Sequence, residues 1–117
     1  MKQLIISAQA DADFVAFYDH YLMQAGERVA AQFDQRSNDA LTHIQRFPRT
    51  GSTRYAHLTP TAQLGSDESD DIMMLRCWTY RQFPLIIFYI EHQDIITIIR
   101  VLHQASDLPQ HLTTPLS

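Results

Sequence analysis

The chain has 117 residues, of which 45% are hydrophobic, and this size and composition suit one folded domain rather than a disordered polypeptide. Thirteen acidic residues against nine basic ones give a net charge of −4, which disfavours sequence-independent binding to nucleic acid, because such binding needs clustered cations. We expect a cytoplasmic protein without disulfides or membrane segments, because Cys77 is the only cysteine, no apolar run approaches roughly 20 residues, and the N-terminus lacks a secretion signal.

The first half of the chain predicts a short strand followed by two helices. The stretch "QLIIS" is typical of a strand, and Ser7 is a suitable helix N-cap. The helix that follows keeps the spacing of one packed apolar face and ends at Gly26. A second helix is predicted from Glu27 to Phe47, before Pro48, and one side of it should pack through Val29, Phe33, Ser37, Ala40, Leu41 and Ile44. Because the turn between them is so short, the two helices should lie antiparallel. The apolar face of the first helix consists of Phe14, Phe17, Tyr18, Tyr21 and Leu22.

Residues 48–71 are predicted to form a long polar loop. This segment holds two of the three glycines and two of the five prolines, and it ends in the acidic run "SDESDD" at 66–71. So long a connection in a small domain is either a solvated excursion or a functional element. The functional interpretation is that the acidic run masks, or competes for, a basic partner surface.

The last part of the chain predicts three strands, at 71–80, 85–91 and 94–103. The stretch "EHQD" between the last two is typical of a tight hairpin turn, so these two strands should be antiparallel neighbours. The order of elements predicts one α+β domain over residues 1–117. In it an N-terminal strand and an antiparallel helical hairpin pack on a mainly antiparallel sheet, which the three C-terminal strands complete.

The final strand is unusual because it carries a charge inside an apolar run and ends in a histidine. Strict alternation places Ile99, Val101 and His103 on one face, and Ile98 and Arg100 on the other. Both faces are largely apolar, so we expect the helical hairpin to cover one face and the other to stay partly uncovered. Arg100 would then reach solvent or a partner through the less covered face.

Four stretches occur in an order that resembles the RelE/ParE superfamily of toxins from type II toxin-antitoxin systems, and they are closest to its ParE branch. The most specific pieces are "FPRTG" at the end of the second helix, the strand "FPLIIFY", and the closing "RVLH" followed by Asp107. Two features depart from the pattern: Ser106 stands where ParE sequences usually carry arginine, and the acidic loop is longer than usual. The four stretches are "SAQADADFVAFYDHYL", "AAQFDQRSNDALTHIQRFPRTG", "LRCWTYRQFPLIIFYI" and "IITIIRVLHQASDLP".

The ParE-like resemblance implies a protein-binding inhibitor of DNA gyrase that a cognate antitoxin silences in a hetero-oligomer. Such a protein needs no catalytic residue and no direct specificity for nucleic acid. Target or antitoxin binding would use a groove on the uncovered face of the sheet, with the antitoxin lying across this groove and the helical hairpin as an amphipathic helix or an extended tail. The predicted groove residues are Arg76, Trp78, Arg81, Arg100 and His103.

The RelE branch implies a different function, ribosome-dependent cleavage of mRNA, which requires a proton acceptor, a proton donor and cations at the scissile phosphate. The minimal catalytic set would be Arg76, Arg81 and His103, with Tyr89 and Arg100 as further candidates. Against it, Lys2 is the only lysine, and the acidic net charge suits a ribosome binder poorly. A third alternative, suggested by Ser106, is a degenerate family member that binds its antitoxin without being toxic.

Neither a metal nor a cofactor is predicted. The six histidines are scattered along the chain, and no Cys/His or Asp/Glu cluster has the spacing of metal ligands.

Overall fold

The computed structural model describes residues 2–56 and 74–105, which form a helical hairpin on a four-stranded sheet. The sheet has the strand order β1-β4-β3-β2, with β1 parallel to β4 and the other neighbours antiparallel. The predicted α+β architecture is confirmed. The predictions for 66–71, Ser106 and Asp107 lie outside the described residues. The elements are β1 (Gln3–Ile6), α1 (Ala8–Ala25), α2 (Glu27–Arg46), a 3-10 turn (Pro48–Thr50), β2 (Arg76–Thr79), β3 (Leu85–His92) and β4 (Ile95–His103).

Local sequence signals account for the ends of the helices. The Ser7 Oγ accepts a hydrogen bond from the Ala10 N–H at 3.0 Å, which satisfies one of the free N–H groups of the first turn of α1. Gly26 alone separates the two helices. It has φ 92° and ψ 174°, a backbone conformation that is disfavoured for residues with a Cβ atom. Its N–H donates to the Leu22 carbonyl at the end of α1, and its own carbonyl accepts from Ala30 in α2. One residue therefore closes the predicted hairpin.

The core between the helices and the sheet is centred on Phe33 of α2. Its ring contacts those of Tyr21, Tyr80 and Phe83 at centroid distances of 5.5, 5.8 and 5.8 Å. The hydroxyl of Tyr80 is hydrogen-bonded to the buried Ser37 hydroxyl at 2.6 Å, so this polar pair is satisfied inside the core. The apolar spacing of α2 predicted this packed stripe correctly.

A β-bulge in β4 overturns the predicted assignment of its faces. Phe88 of β3 is paired with Arg100, whereas the next residue, Tyr89, is paired with Ile98, so Ile99 has no partner in the ladder. An extra residue in one strand inverts the alternation beyond it. Ile98 and Val101, three residues apart, consequently share the helix-facing core, while Ile99 lies in a second core on the opposite face. Strict alternation was wrong because it assumed a regular strand.

The prediction of a partly uncovered sheet face is also wrong. On the side away from the helices, Leu75 and Phe88 are fully buried, and the ring of Tyr55 packs against Phe88 at 5.6 Å. Burial of apolar side chains is favourable on this face for the same reason as on the face under the helices. The sheet is therefore buried on both faces. The second cluster contains Leu75, Cys77, Ile86, Phe88, Ile90, Ile99 and Leu102.

Arg100 forms an internal ion pair instead of reaching a partner. Its Nε and Nη2 donate to the two carboxylate oxygens of Asp13 in α1 at 2.8 and 3.1 Å. The same carboxylate accepts the N–H of Val101 at 2.9 Å, in the part of β4 that extends past its pairing with β1. In addition, Ser7 donates its N–H to the carbonyl of Ile98 and its hydroxyl to that of Ile99. These bonds join the start of α1 to the bulge of β4.

We expect Asp13→Ala to lower the free energy of unfolding by about 3 kcal/mol, because it removes three hydrogen bonds and leaves the poorly hydrated guanidinium of Arg100 without a counter-ion. Arg100→Met should cost less, since the Asp13 carboxylate then still caps the Val101 N–H. Urea denaturation of both variants and the double variant measures the coupling. The matched control is Asp19→Ala, an exposed carboxylate on the same helix, which should change stability by less than about 0.5 kcal/mol. Equal effects for Asp13 and Asp19 would contradict the role of the pair.

We expect the thiol of Cys77 to resist alkylation in the folded protein. Only 4% of Cys77 is exposed, and burial raises the pKa of the thiol even though the nearby Arg54 opposes the shift, so thiolate is scarce at neutral pH. Reaction with iodoacetamide, followed by mass spectrometry, should be slow without denaturant and complete in urea. Rapid labelling under native conditions would show that the second face of the sheet is open to solvent.

Candidate functional site

The five residues predicted to line one groove lie in three separate places. Arg100 is bound to Asp13, as described above. His103, at the end of β4, lies in a hollow beside α1. Arg76 and Trp78 lie on β2, the edge strand at the opposite end of the sheet order from β1, and Arg81 lies in the turn after it. The prediction of a single groove on an uncovered sheet face is therefore wrong, and of the five residues only Trp78 and Arg81 line the same cleft.

Trp78 lies in a cleft of about 250 Å³ between α2 and β2. Its ring is half-buried against the core and contacts the ring of His43 at 4.5 Å. Arg36 and Arg81 line the same cleft. The Arg36 Nη2 donates to the Gln82 Oε1 at 3.3 Å, while Arg81 is exposed and forms no ion pair or hydrogen bond within the described residues. The cleft combines an aromatic surface with two guanidinium groups, the residue types that concentrate binding energy at interfaces.

The turn after α2, which carries the "FPRTG" motif, is held against β2 and β3 by two side chains. The hydroxyl of Tyr89 donates to the Pro48 carbonyl at 2.6 Å, and the Arg76 Nη1 donates to the carbonyl of Gly51 at 3.1 Å. A Cβ on Gly51 would collide with the Tyr89 hydroxyl, so glycine is required here by close packing. Ser52 then pairs with Cys77 through two backbone hydrogen bonds of 2.9 Å each. The motif thus fixes the turn beside the edge strand.

The residues of the nuclease alternative have different surroundings in the structure. Tyr89 is fully buried, and its burial is the main cause that raises the pKa of its hydroxyl to about 12, so it serves the turn rather than a substrate. His103 accepts a hydrogen bond from the Ala105 N–H through its Nδ1 at 3.0 Å. Its hollow contains no carboxylate and no arginine among the described lining residues. Arg81 and His103 line two different hollows, one beside α2 and the other beside α1.

A second surface, which the sequence analysis missed, is an apolar groove of about 310 Å³ between the outer faces of α1 and α2. Tyr18 was predicted to be part of the packed face, but it is exposed and lines this groove together with Val15. The sequence signal was present: α1 carries apolar residues on two faces, and only one of them is needed for the core. The apolar lining consists of Ile6, Phe14, Val15, Tyr18, Phe33 and Leu41, and the polar lining of Asp11, Asp34, Ser37 and Asn38.

Two further features were considered for the described residues, a metal site and a membrane-spanning helix. Within 2–56 and 74–105, no group of three or more His, Cys, Asp or Glu side chains is placed to hold a metal ion. In the same ranges, neither helix has the length and apolar character required to cross a bilayer.

Comparisons with known proteins agree with this architecture. Residues 4–108 match a family described as the ParE toxin of type II toxin-antitoxin system, parDE. A solved structure of the chromosomal ParDE TA system from P. aeruginosa has a TM-score of 0.63 and 21% sequence identity, and the match covers 88% of this chain and 96% of that one. This structural likeness establishes the fold. No curated protein matches the chain significantly.

Proposed function

The chain belongs to the ParE toxin family of type II toxin-antitoxin systems, and on this basis we propose that it is a cytoplasmic inhibitor of DNA gyrase that acts by binding rather than by catalysis. A cognate antitoxin silences it by occupying the groove between α1 and α2. The family match over 4–108 carries the proposal, and the division of the surface into an apolar groove and a cationic cleft supports it.

The groove suits an amphipathic helix of the antitoxin. Its lining residues on α1 follow the spacing i, i+3, i+4 and i+7, and the other wall consists of residues 33–41 of α2. Both walls therefore run along helix axes, and a third helix fits between two such ridges. Val15 is 55% exposed and Tyr18 is 37% exposed, which is apolar surface that the isolated chain leaves in water. Covering it is the driving force for association.

Charge gives the antitoxin segment a preferred chemistry. Asp11 and Asp34 border the groove, and α1 contains no lysine or arginine. An antitoxin helix with leucine-like anchors flanked by basic residues complements both properties. Arg76, Trp78 and Arg81 lie outside this groove and remain our candidates for contact with the target.

We expect Val15→Asp to weaken antitoxin binding at least about 30-fold, because a central interface residue typically contributes about 2 kcal/mol or more and the new charge lies near Asp11. Since Val15 is exposed, the thermal midpoint of the free toxin should hardly change. Isothermal titration calorimetry with the antitoxin measures the effect. Met23→Asp is the matched control, because Met23 is also an exposed apolar residue of α1 but lies outside the groove. Equal loss in both variants would exclude the groove as the binding site.

We expect the purified toxin to inhibit supercoiling by gyrase and to accumulate cleaved plasmid DNA, and prior addition of the antitoxin should abolish both effects. The physical reason is that binding to one state of gyrase shifts its population toward that state. An agarose-gel supercoiling assay checks this. Unchanged supercoiling, together with cleavage of mRNA in a translating extract, would favour the nuclease alternative. Absence of both activities would favour a non-toxic antitoxin-binding protein.

A further inference from the structure

The cleft between α2 and β2 brings two guanidinium groups beside two aromatic rings. Arg36 comes from α2 and Arg81 from the turn after β2, and both line this cleft of about 250 Å³. The rings of Trp78 and His43, in contact at 4.5 Å, line it as well. Ala40 of α2 also belongs to the lining, and its small side chain leaves the space between helix and strand open. We call this site the Trp78 cleft.

Neither guanidinium of the Trp78 cleft is neutralised by an ion pair within the described part of the chain. The Arg36 Nη2 donates to the neutral Gln82 Oε1 at 3.3 Å, and Arg81 is exposed without a described partner. Arg100 shows the contrast, because both carboxylate oxygens of Asp13 accept hydrogen bonds from it. A neutral acceptor orients a guanidinium without cancelling its charge, so Arg36 and Arg81 keep the capacity to bind an anion.

The turn between β2 and β3 holds these two arginines on the same cleft. The Tyr80 N–H donates to the Leu85 carbonyl at 2.9 Å and closes the turn. Within it Gln82 has φ 70°, a left-handed conformation that is uncommon for residues other than glycine. Such a conformation persists only where the surrounding structure imposes it. Here it accompanies the hydrogen bond from Arg36 to Gln82, next to Arg81 in the chain.

The charge of the Trp78 cleft selects its ligand. Among the described lining residues there are two guanidinium groups and one carboxylate, that of Asp39, which accepts a hydrogen bond from Gln35. This leaves one positive charge in excess, which complements a single carboxylate. A nucleic-acid backbone is disfavoured, because it requires cations spread over several successive phosphates, whereas Arg36 and Arg81 lie in one small cleft beside an aspartate.

The size and lining of the cleft narrow the ligand further. Its volume of about 250 Å³ is smaller than the roughly 300–1,000 Å³ of pockets that hold drug-sized ligands, so it suits one or two side chains rather than a nucleotide. The Trp78 ring provides an apolar wall for methylene groups, while the guanidinium groups meet a carboxylate. A glutamate side chain has both parts.

We propose that the Trp78 cleft binds a glutamate side chain of a protein partner, with the carboxylate between Arg36 and Arg81 and the methylene groups against the Trp78 ring. The inference rests on the proposed function, in which this partner is gyrase, and it assigns an acidic segment of the target to the contact. The antitoxin groove is lined by other residues of α2, among them Phe33 and Leu41, so the two partners use different sides of this helix.

The experiment uses the full-length toxin without antitoxin. Biolayer interferometry measures its affinity for purified gyrase, and the emission of Trp78, the only tryptophan, measures its affinity for an acetylated hexaglutamate peptide. Arg36→Gln/Arg81→Gln should weaken both at least about tenfold, because charge-assisted hydrogen bonds to the carboxylate are lost. Arg81→Gln alone, which removes no described contact of the fold, should weaken both about threefold or more. Asp39→Asn should instead strengthen both about twofold, because a like charge is removed from the cleft.

The matched control is Arg28→Gln/Arg46→Gln, which removes the same charge from exposed positions of α2 outside the cleft and should bind both ligands like the unchanged protein. Equal loss in the control, no binding of hexaglutamate, weaker binding by Asp39→Asn, or a preference for inorganic phosphate or duplex DNA would overturn the inference. Gyrase binding that is unchanged in Arg36→Gln/Arg81→Gln would refute the inference alone. Hexaglutamate binding through the cleft without gyrase binding would refute the proposed function alone.

Discussion

The ion pair between Asp13 and Arg100 is the contact on which the arrangement of this molecule depends. It links the first helix to the last strand, residues 87 positions apart, and its bidentate geometry fixes both the distance and the rotation of α1 on the sheet. The bulge at Ile99 makes it possible, because an extra residue is inserted in β4 immediately before Arg100. A charge inside an apolar strand therefore has a structural explanation: it anchors the hairpin, and it is not available for a partner.

Burial of both faces of the sheet determines where binding can occur. Leu75, Cys77 and Phe88 form a second core that mirrors the one under the helices, so the described part of the sheet offers no open face for docking. Binding surfaces must then lie on the outer side of the hairpin or at the edges of the sheet. These are the places where apolar side chains of α1 and arginines beside β2 remain exposed to solvent.

The two candidate surfaces differ in charge as well as in shape. The hairpin groove is apolar with Asp11 and Asp34 on its border, while the cleft between α2 and β2 is lined by Arg36, Arg81 and Asp39 and by two aromatic side chains in ring contact, His43 and Trp78. A basic segment that complements the acidic border of the groove is repelled by the arginines of the cleft, so the two surfaces select partners of different charge.

The sequence by itself determined the order of the elements, the hairpin closed at Gly26, and the packed stripe of α2, since caps and apolar periodicity act over a few residues. It also grouped Arg76, Trp78 and Arg81, which are neighbours in the chain. Tertiary structure alone decided which way each residue of β4 faces, that the second sheet face is buried, and that Arg36 of α2 lines the same cleft as Arg81. The reason is that strand register and packing are set by contacts between distant segments. One extra residue at the bulge reverses the faces of the strand, and the bulge cannot be recognised from the local sequence pattern.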